Sequence, residues 1–251
     1  DCLVDSSVDV RLAALKAVQM VIPFLGHRSS NQSAMLEGVV PRVLQVIEEH
    51  LTNEDSVKLV LRTLDLIEQL VEVLSIKHHG DFIAQIVEFL GQTMEEKNTH
   101  MRIREHAAEV CGMIVEAKKK LITKRQLVKP LVEVCLSLMS EEETISFDRD
   151  FNESDDEMDD EDLELIDVRP PCMFGGLLLA QLAKEIPSKQ VMPLIMSNVQ
   201  SISGNRNASP LQKKGIIIAL AAVCDGGSSV LRRQVPSILN LCKTYMEDPE
   251  P

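Results

Sequence analysis

The sequence predicts an all-α fold in which pairs of amphipathic helices stack into a superhelix. Three observations support this prediction: a core composition with few aromatic residues, apolar side chains at helical spacing, and helix starts at a nearly constant interval. Of the 251 residues, 45% are hydrophobic but only 3% are aromatic, and tryptophan is absent. Such an aliphatic composition favours helices over a β-sandwich, in which aromatic and β-branched residues would alternate with polar ones.

Apolar residues at helical spacing place the helices along the chain. The first helix is expected over 7–23, because Val8, Leu12 and Leu15 begin a run with the helical period. A polar loop over 26–33 is expected before a helix over 40–51, which would have Pro41 in its first turn. Further helices are expected over 56–75, over 82–94, from a cap at Asn98 or Thr99 through Val115, and over 126–139, 171–186, 189–199, 210–224 and 230–246.

Constant spacing distinguishes a repeat array from a helical bundle. A turn and a basic residue open four of the second helices, at Val10-Arg11, Val57-Lys58, Met101-Arg102 and Gln212-Lys213. The first two intervals are 47 and 44 residues, and the third, 111 residues, holds two repeats of 42 and an insertion of 27. A period of about 40 to 47 residues with two helices per unit is typical of HEAT repeats, an armadillo-like solenoid in which neighbours bury each other's apolar faces.

This period divides the chain into one unit after another, and the absence of an initiator Met leads us to expect a piece of a longer protein. The predicted units are a second helix of a truncated repeat at 1–26, repeats at 34–78, 79–124, 125–187 and 188–227, and the first helix of a truncated repeat at 228–251.

An acidic insertion, residues 141–167, interrupts the fourth of these units. Of its 27 residues 15 are Asp or Glu and one is Arg, so it carries a charge of −14 against −13 for the whole chain. We expect a disordered loop, because so few apolar side chains cannot offset the entropy of ordering it. Two interpretations stay open: a solubilising linker, or a polyanion that captures a basic partner. Ser154 is a candidate phosphorylation site, and the candidate cargo-binding acids are Glu153, Asp155, Asp156, Glu157, Asp159, Asp160, Glu161, Asp162 and Glu164.

No catalytic or metal-binding arrangement is found in the sequence. The histidines are dispersed, with His78 and His79 expected in a turn between helices, and the six cysteines contain no CxxC pair. We therefore expect neither enzyme activity, nor a cofactor, nor a metal. A net charge of −13 makes nucleic acid a poor partner, and no apolar run is long enough for membrane insertion.

A basic cluster, Lys118, Lys119, Lys120, Lys124 and Arg125, is expected at a turn between helices. It is interpreted either as a solvated turn or as a contact for the acidic insertion of the same chain.

Two stretches resemble the importin-β family of nuclear transport receptors, and in particular its importin-four branch. The first is PCMFGGLLLAQLAKEIPSKQVMPLIM at 171–196, with a Pro-Cys helix start and a Leu-rich second helix that ends at a Pro. The second, SPLQKKGIIIALAAVCDGGSSVLRRQVPSILNLCKTYMEDPEP at 209–251, is similar to that branch in its Gln-Lys-Lys, Asp-Gly-Gly and Glu-Asp-Pro elements. Over 1–140 the resemblance is at the level of the repeats.

The resemblance implies a nuclear import receptor without catalytic activity, which is monomeric, contacts nuclear pore proteins and shuttles between cytoplasm and nucleus. Its basic cargo would include histones and ribosomal proteins, and Ran-GTP binding to the full-length protein would release it. In this hypothesis the second helices line the concave face and present five acids to cargo: Asp65, Glu68, Glu72, Glu105 and Glu109. The alternative is a HEAT scaffold subunit of a phosphatase or chromosome-organising complex, without Ran binding.

Overall fold

The computed structural model describes residues 2–25, 30–74, 76–142 and 168–246, and these residues form helices without any strand. Short 3-10 turns lie at Cys2–Val4 and Glu54–Ser56. The ten α-helices in the described ranges are α1 (Val8–Leu25), α2 (Ser30–His50), α3 (Val57–Val73), α4 (Ile76–Glu95), α5 (Met101–Lys124), α6 (Val128–Met139), α7 (Pro171–Glu185), α8 (Ser188–Gly204), α9 (Pro210–Ala222) and α10 (Ser228–Met246).

The helices form two layers. The first helices of successive repeats pack side by side in one layer, the first-helix layer, which consists of α2, α4, α6, α8 and α10. The second helices form the other layer, the second-helix layer, which consists of α1, α3, α5, α7 and α9. Each of α2, α4, α6 and α8 also packs against the second helix that follows it, so that the layers are joined as HEAT-like pairs. Successive second helices contact each other more extensively than successive first helices do. The predicted all-α solenoid is confirmed.

One continuous apolar cluster runs through all ten helices. In its middle, Leu64 and Ile67 of α3, Ile86 and Leu90 of α4 and Ile114 of α5 are almost completely buried. Burying such a side chain contributes about 1.5 to 3 kcal/mol. Phe174 of α7 is the largest fully buried side chain among the described residues, so aliphatic residues fill most of this core, as the composition predicts.

Local capping explains where two of the second helices begin. Before α9, the Ser209 hydroxyl accepts a hydrogen bond from the Gln212 backbone N–H at 3.2 Å, and the Gln212 side chain accepts one from the Ser209 N–H at 3.0 Å. This capping box, followed by Pro210, satisfies the free donors of the first turn. At α5 the cap is His100, whose Nδ1 accepts a hydrogen bond from the Arg102 N–H at 3.2 Å. The predicted caps at Asn98 or Thr99 are therefore one to two residues too early.

Four helix boundaries differ from the sequence prediction by five residues or more, and one of them is the end of α8, at Gly204 instead of 199. Helix α2 begins at Ser30, so Pro41 lies in its interior instead of its first turn. Helix α4 begins before His78 and His79, and the expected turn is a kink at His79, where φ is −122°. Helix α5 kinks at Lys118 and then continues through the basic cluster to Lys124. It continues because Leu121 and Ile122, inside that cluster, are buried in the core.

Two of the glycines permit close approaches, one between the two helices of a pair and one between neighbouring units. A Cβ atom at Gly175 of α7 would lie 2.9 Å from the Leu138 Cβ and 3.3 Å from the Cys135 carbonyl oxygen, both on α6. A Cβ atom at Gly226, in the turn between α9 and α10, would collide with the Ala183 carbonyl oxygen and lie 2.8 Å from the Lys184 nitrogen, both on α7. Glycine at these positions therefore sets how closely neighbouring elements pack.

We expect Gly226→Ala to destabilise the protein by about 1 to 3 kcal/mol, because the added methyl group meets backbone atoms of α7 that cannot rotate away. Urea unfolding followed by circular dichroism measures the change. Gly204→Ala is the matched control, since a Cβ at Gly204 meets no atom within 4 Å and Gly204 lies at the end of a helix. Equal stability of the two variants would contradict the proposed close approach.

Candidate functional site

A set of charged side chains joins three successive second helices. Contacts of 2.8 to 3.7 Å link its members across the α3–α5 and α5–α7 boundaries. We call it the inter-repeat charge network, and it consists of Asp65 of α3, Arg102, Glu105, His106 and Glu109 of α5, and Arg169, two residues before α7.

The spacing of the α5 residues explains how one helix supplies four members. Positions separated by three or four residues lie on the same face of a helix, so the side chains of Arg102, Glu105 and Glu109 are neighbours. His106 points from this face toward the preceding second helix and Arg169 approaches it from the following one, so the face is a junction of three repeats.

His106 is the central cation of the network. Its Nε2 donates to the Asp65 carboxylate at 2.8 Å, and its Nδ1 donates to Glu109 Oε2 at 3.1 Å. Burial alone would lower the pKa of His106, but the hydrogen bonds and charges of Asp65 and Glu109 raise it to about 9. His106 is therefore an imidazolium at neutral pH.

The pKa values of its two carboxylate partners shift in the complementary direction. Burial alone would raise the pKa of Asp65, but the hydrogen bond and charge of His106, together with Arg62, lower it. The pKa of Glu109 is lowered mainly by the hydrogen bond from His106, with further contributions from Arg102 and Arg169. Both carboxylates are therefore charged at neutral pH.

Glu105 is the most deeply buried acid of the network. Its side chain is only 2% exposed, and Glu105 Oε2 accepts a hydrogen bond from Arg102 at 3.0 Å. Arg102 also lies 3.7 Å from Glu109 Oε2. The remaining oxygens face Arg169, which is 3.6 Å from Glu105 Oε1 and 3.5 Å from Glu109 Oε1. A buried carboxylate needs such partners, since an unpaired charge there would be costly.

The same helix α5 also holds the chain on both sides of the acidic insertion. On the N-terminal side Arg104, which is buried, donates to Glu141 at 2.7 Å and to the Met94 carbonyl oxygen at 2.7 Å. On the C-terminal side Arg169 contacts Glu105 and Glu109. Residues 143–167, which include Ser154 and every candidate cargo-binding acid of the insertion, lie outside the described residues.

The structure brings three of the five predicted concave-face acids together. Asp65, Glu105 and Glu109 belong to the network, where cations of the same chain neutralise them. Glu68 is half-buried and Glu72 is exposed on α3. The sequence analysis placed none of the network's cations, Arg102, His106 and Arg169, in the candidate site, and used Arg102 only as the basic residue at a helix start. The repeat period offered one signal, since His106 lies 41 residues after its partner Asp65.

We call three exposed apolar side chains on α5 and α7, the helices that the network joins, the apolar patch. Met113 of α5 is 37% exposed, and Met173 and Leu177 of α7 are each 54% exposed. The patch lies between two polar bridges from α5 to α7: Glu109 to Arg169 on one side, and on the other Glu116, which accepts a hydrogen bond from Gln181 at 3.0 Å. Methionine side chains adapt readily to different apolar partners.

The basic cluster lies at the C-terminal end of α5, and several of its members contact neighbouring elements. Lys118 donates to the Leu74 carbonyl oxygen at 3.0 Å, and its pKa is lowered by burial. Lys119 forms an ion pair with Glu185 at 3.2 Å, and Arg125 forms one with Asp81. These contacts occur within the repeat stack, and the proposed contact of the cluster with the acidic insertion stays a prediction.

Within the described ranges, no group of three or more His, Cys, Asp or Glu side chains is placed to hold a metal ion. None of the described helices combines the length and apolarity needed to cross a membrane. The six cysteines are free thiols, of which Cys111 and Cys135 are buried; burial raises the pKa of Cys111 to about 12 and raises that of Cys135 as well. Cys2 and Cys224, by contrast, are exposed.

A stack of HEAT-like helix pairs with a charged face across its second helices is the architecture of an α-helical solenoid. No protein-family model matches this chain. Importin-4 of Homo sapiens is 22% identical to it over 239 residues, which is 94% of this chain and 21% of the relative. Importin-4 of Mus musculus is 27% identical over 139 residues, 54% of this chain and 12% of the relative.

Solved structures of the karyopherin Kap121p have the same fold. A structure of Kap121p bound to RanGTP covers 100% of this chain, with a TM-score of 0.72 and 20% identity, and the match takes up 24% of that chain. A structure of Kap121p alone gives the same TM-score with 21% identity. The structural similarity shows that this chain has the helical-repeat fold seen in this karyopherin, and the chain spans about a fifth of the length of the human relative.

The network makes stability depend on pH. Because folding raises the pKa of His106 from 6.5 to about 9, protonated His106 stabilises the folded chain fully below pH 6.5, and this stabilisation is lost as the pH rises through 9. The expected loss is about 3 kcal/mol. Urea unfolding across this pH range, with NMR titration of His106, measures this loss of stability.

The variant His106→Gln should be less stable at neutral pH and should lose this part of the pH dependence. A pH profile equal to that of the unaltered chain would contradict the assignment.

Proposed function

We propose that this chain is part of a nuclear import receptor, which binds basic protein cargo along its second helices and releases that cargo when the full-length protein binds Ran-GTP. The observation that carries the proposal is the similarity to Importin-4 along 94% of the chain. The karyopherin fold supports it, since Kap121p has been solved in complex with RanGTP, with Pho4p and with Nup53p. Nuclear pore proteins are therefore proposed as further partners, and shuttling between cytoplasm and nucleus follows from the proposed function.

The cargo surface proposed here is the second-helix layer. Successive second helices contact each other more extensively than successive first helices, as expected for elements on the inner side of a curved stack. The acids Asp65, Glu68, Glu72, Glu105 and Glu109 all lie on α3 and α5 of this layer. Exposed Met173 and Leu177 add apolar contact area, which suits a basic cargo segment with interspersed apolar side chains.

The distribution of charge assigns different roles to the layer and to the insertion. Within the network, three carboxylates face three cations, and Arg62 also lies 3.4 Å from Asp65, so the network has no excess of negative charge at neutral pH. The insertion carries −14, and the other 224 residues sum to +1. Long-range attraction of a basic cargo would therefore come from the insertion, with 153–164 as its most acidic part. The network would then contribute selectivity at short range.

Histones and ribosomal proteins are the proposed cargo class, because both are rich in the cations that such a surface attracts. Electrostatic attraction of this kind accelerates association and weakens with salt, since charges are screened within about 8 Å at physiological ionic strength.

Replacing residues 143–167 by a Gly/Ser linker of equal length should weaken binding of a histone-tail peptide on the order of tenfold at low salt and flatten its salt dependence, because the main source of long-range attraction is removed. This replacement retains Glu141 and Arg169, so both flanking ion pairs are preserved. Fluorescence anisotropy over a salt series measures the effect. An unchanged salt slope would exclude the insertion from cargo capture.

The function itself is tested with the full-length protein. Immobilised Ran loaded with a non-hydrolysable GTP analogue should retain the protein, and Ran loaded with GDP should not. A preformed complex with histone should dissociate when the GTP form is added. Failure to bind the GTP form would favour the alternative, a HEAT scaffold subunit of another complex.

A further inference from the structure

Two carboxylate oxygens of the network point at one guanidinium. Glu105 Oε1 and Glu109 Oε1 lie 3.6 and 3.5 Å from Arg169, on Nε and on a terminal nitrogen respectively. The other oxygen of each carboxylate is held within α5, Glu105 Oε2 by Arg102 at 3.0 Å and Glu109 Oε2 by His106 at 3.1 Å. The pair of Oε1 atoms is thus fixed in place by its own helix, independently of Arg169.

The position of Arg169 differs from that of the other two cations. The Arg169 side chain is 47% exposed, whereas Arg102 is 21% and His106 15% exposed. Its two contacts exceed 3.2 Å, which is long for a charge-assisted hydrogen bond. On the Arg169 side these ion pairs are open to solvent, which screens them and weakens their contribution to stability. Arg169 is therefore the member of the network that an outside cation can replace at the lowest cost.

We propose that Arg169 is an intramolecular competitor of cargo: its guanidinium occupies the Glu105–Glu109 carboxylate pair, and a cargo arginine binds there by taking its place. This inference rests on the proposed function, and it adds the side chain that cargo must displace. Exchange of one guanidinium for another leaves no buried carboxylate unpaired, which makes it compatible with the burial of Glu105. Two fixed acceptors also favour the planar fork of arginine over the single ammonium of lysine.

The competitor makes binding selective. A partner with one isolated cation gains little from replacing Arg169, because an equivalent contact is lost. A partner that also contacts the apolar patch of Met113, Met173 and Leu177 gains additional area that Arg169 does not cover. Cargo segments that combine arginine with apolar residues are therefore preferred over purely basic ones.

The test compares Arg169→Gln with Lys184→Gln in the whole chain. Both variants remove one positive charge, but Lys184 is exposed at the end of α7 and pairs with Glu185, away from the network. The probes are a fluorescent Arg-rich peptide and a Lys-rich peptide of the same length, measured by anisotropy. Arg169→Gln should bind the Arg-rich peptide roughly three- to tenfold tighter than the unaltered chain, since the competitor is gone. Lys184→Gln should shift both peptides slightly and equally.

Two further variants secure the interpretation. Arg169→Lys retains the charge but not the fork, so its affinity for the Arg-rich peptide should fall between those of the unaltered chain and Arg169→Gln. In the Arg169→Gln background, Glu109→Gln should abolish the gain, because it removes one of the two acceptors. Urea unfolding of each variant identifies any that is not folded, and Arg169→Lys then supplies the comparison.

The outcomes separate this inference from the function on which it rests. Peptide binding by the unaltered chain with equal or weaker binding by Arg169→Gln overturns the competitor and leaves the cargo surface in place. An equal gain from Lys184→Gln also overturns it, since the effect is then one of net charge. Absence of binding in every variant overturns both the inference and the cargo surface.

Discussion

The packing of each second helix against the next is the interaction on which the rest of the structure depends. No helix pair can cover its own apolar face. The buried cluster is continuous because each of the second helices packs against the next, in the order α1, α3, α5, α7 and α9. The close approach at Gly226 belongs to the same constraint, since it fixes how near the turn after α9 comes to α7; the close approach at Gly175 sets the distance between α6 and α7 within one pair. A solenoid of this kind obtains its stability from contacts between neighbouring repeats, so the residues on its surface can vary without loss of the fold.

The charge network shows how that packing accommodates ionised groups. The side chains of Glu105 and Arg104 are neighbours on α5 and both are buried, yet each has a partner of opposite charge within 3.0 Å. Such pairs contribute less to stability than apolar groups of the same volume, because both ions lose water, but breaking one leaves a buried charge. Their value here is positional: they hold carboxylate oxygens at fixed places on the second-helix layer and set the relative registration of α3, α5 and α7.

The sequence predicted the repeat class and most helix boundaries, because a period of about 42 residues and the helical spacing of Leu, Val and Ile are local and regular signals. The prediction failed where contacts between distant parts of the chain determine where a helix begins or ends. Helix α5 continues through the basic cluster since Leu121 and Ile122 are drawn into the core, and His100 caps it in place of its neighbours. The candidate acids were found individually. Their neutralisation was not, since the contacts of His106 with Asp65 and of Arg169 with Glu105 join residues 41 and 64 positions apart in different repeats.

Both ends of the acidic insertion are held by ion pairs to the same helix, α5. At its start Glu141 pairs with Arg104, and just after its end Arg169 pairs with Glu105 and Glu109. Growth or shrinkage of the stretch between them would leave the geometry of α6 and α7 untouched. In general, the free-energy cost of closing a loop rises by only about 0.6 kcal/mol when the loop doubles in length. The number of negative charges at this position can therefore change with little effect on the packing of the helices.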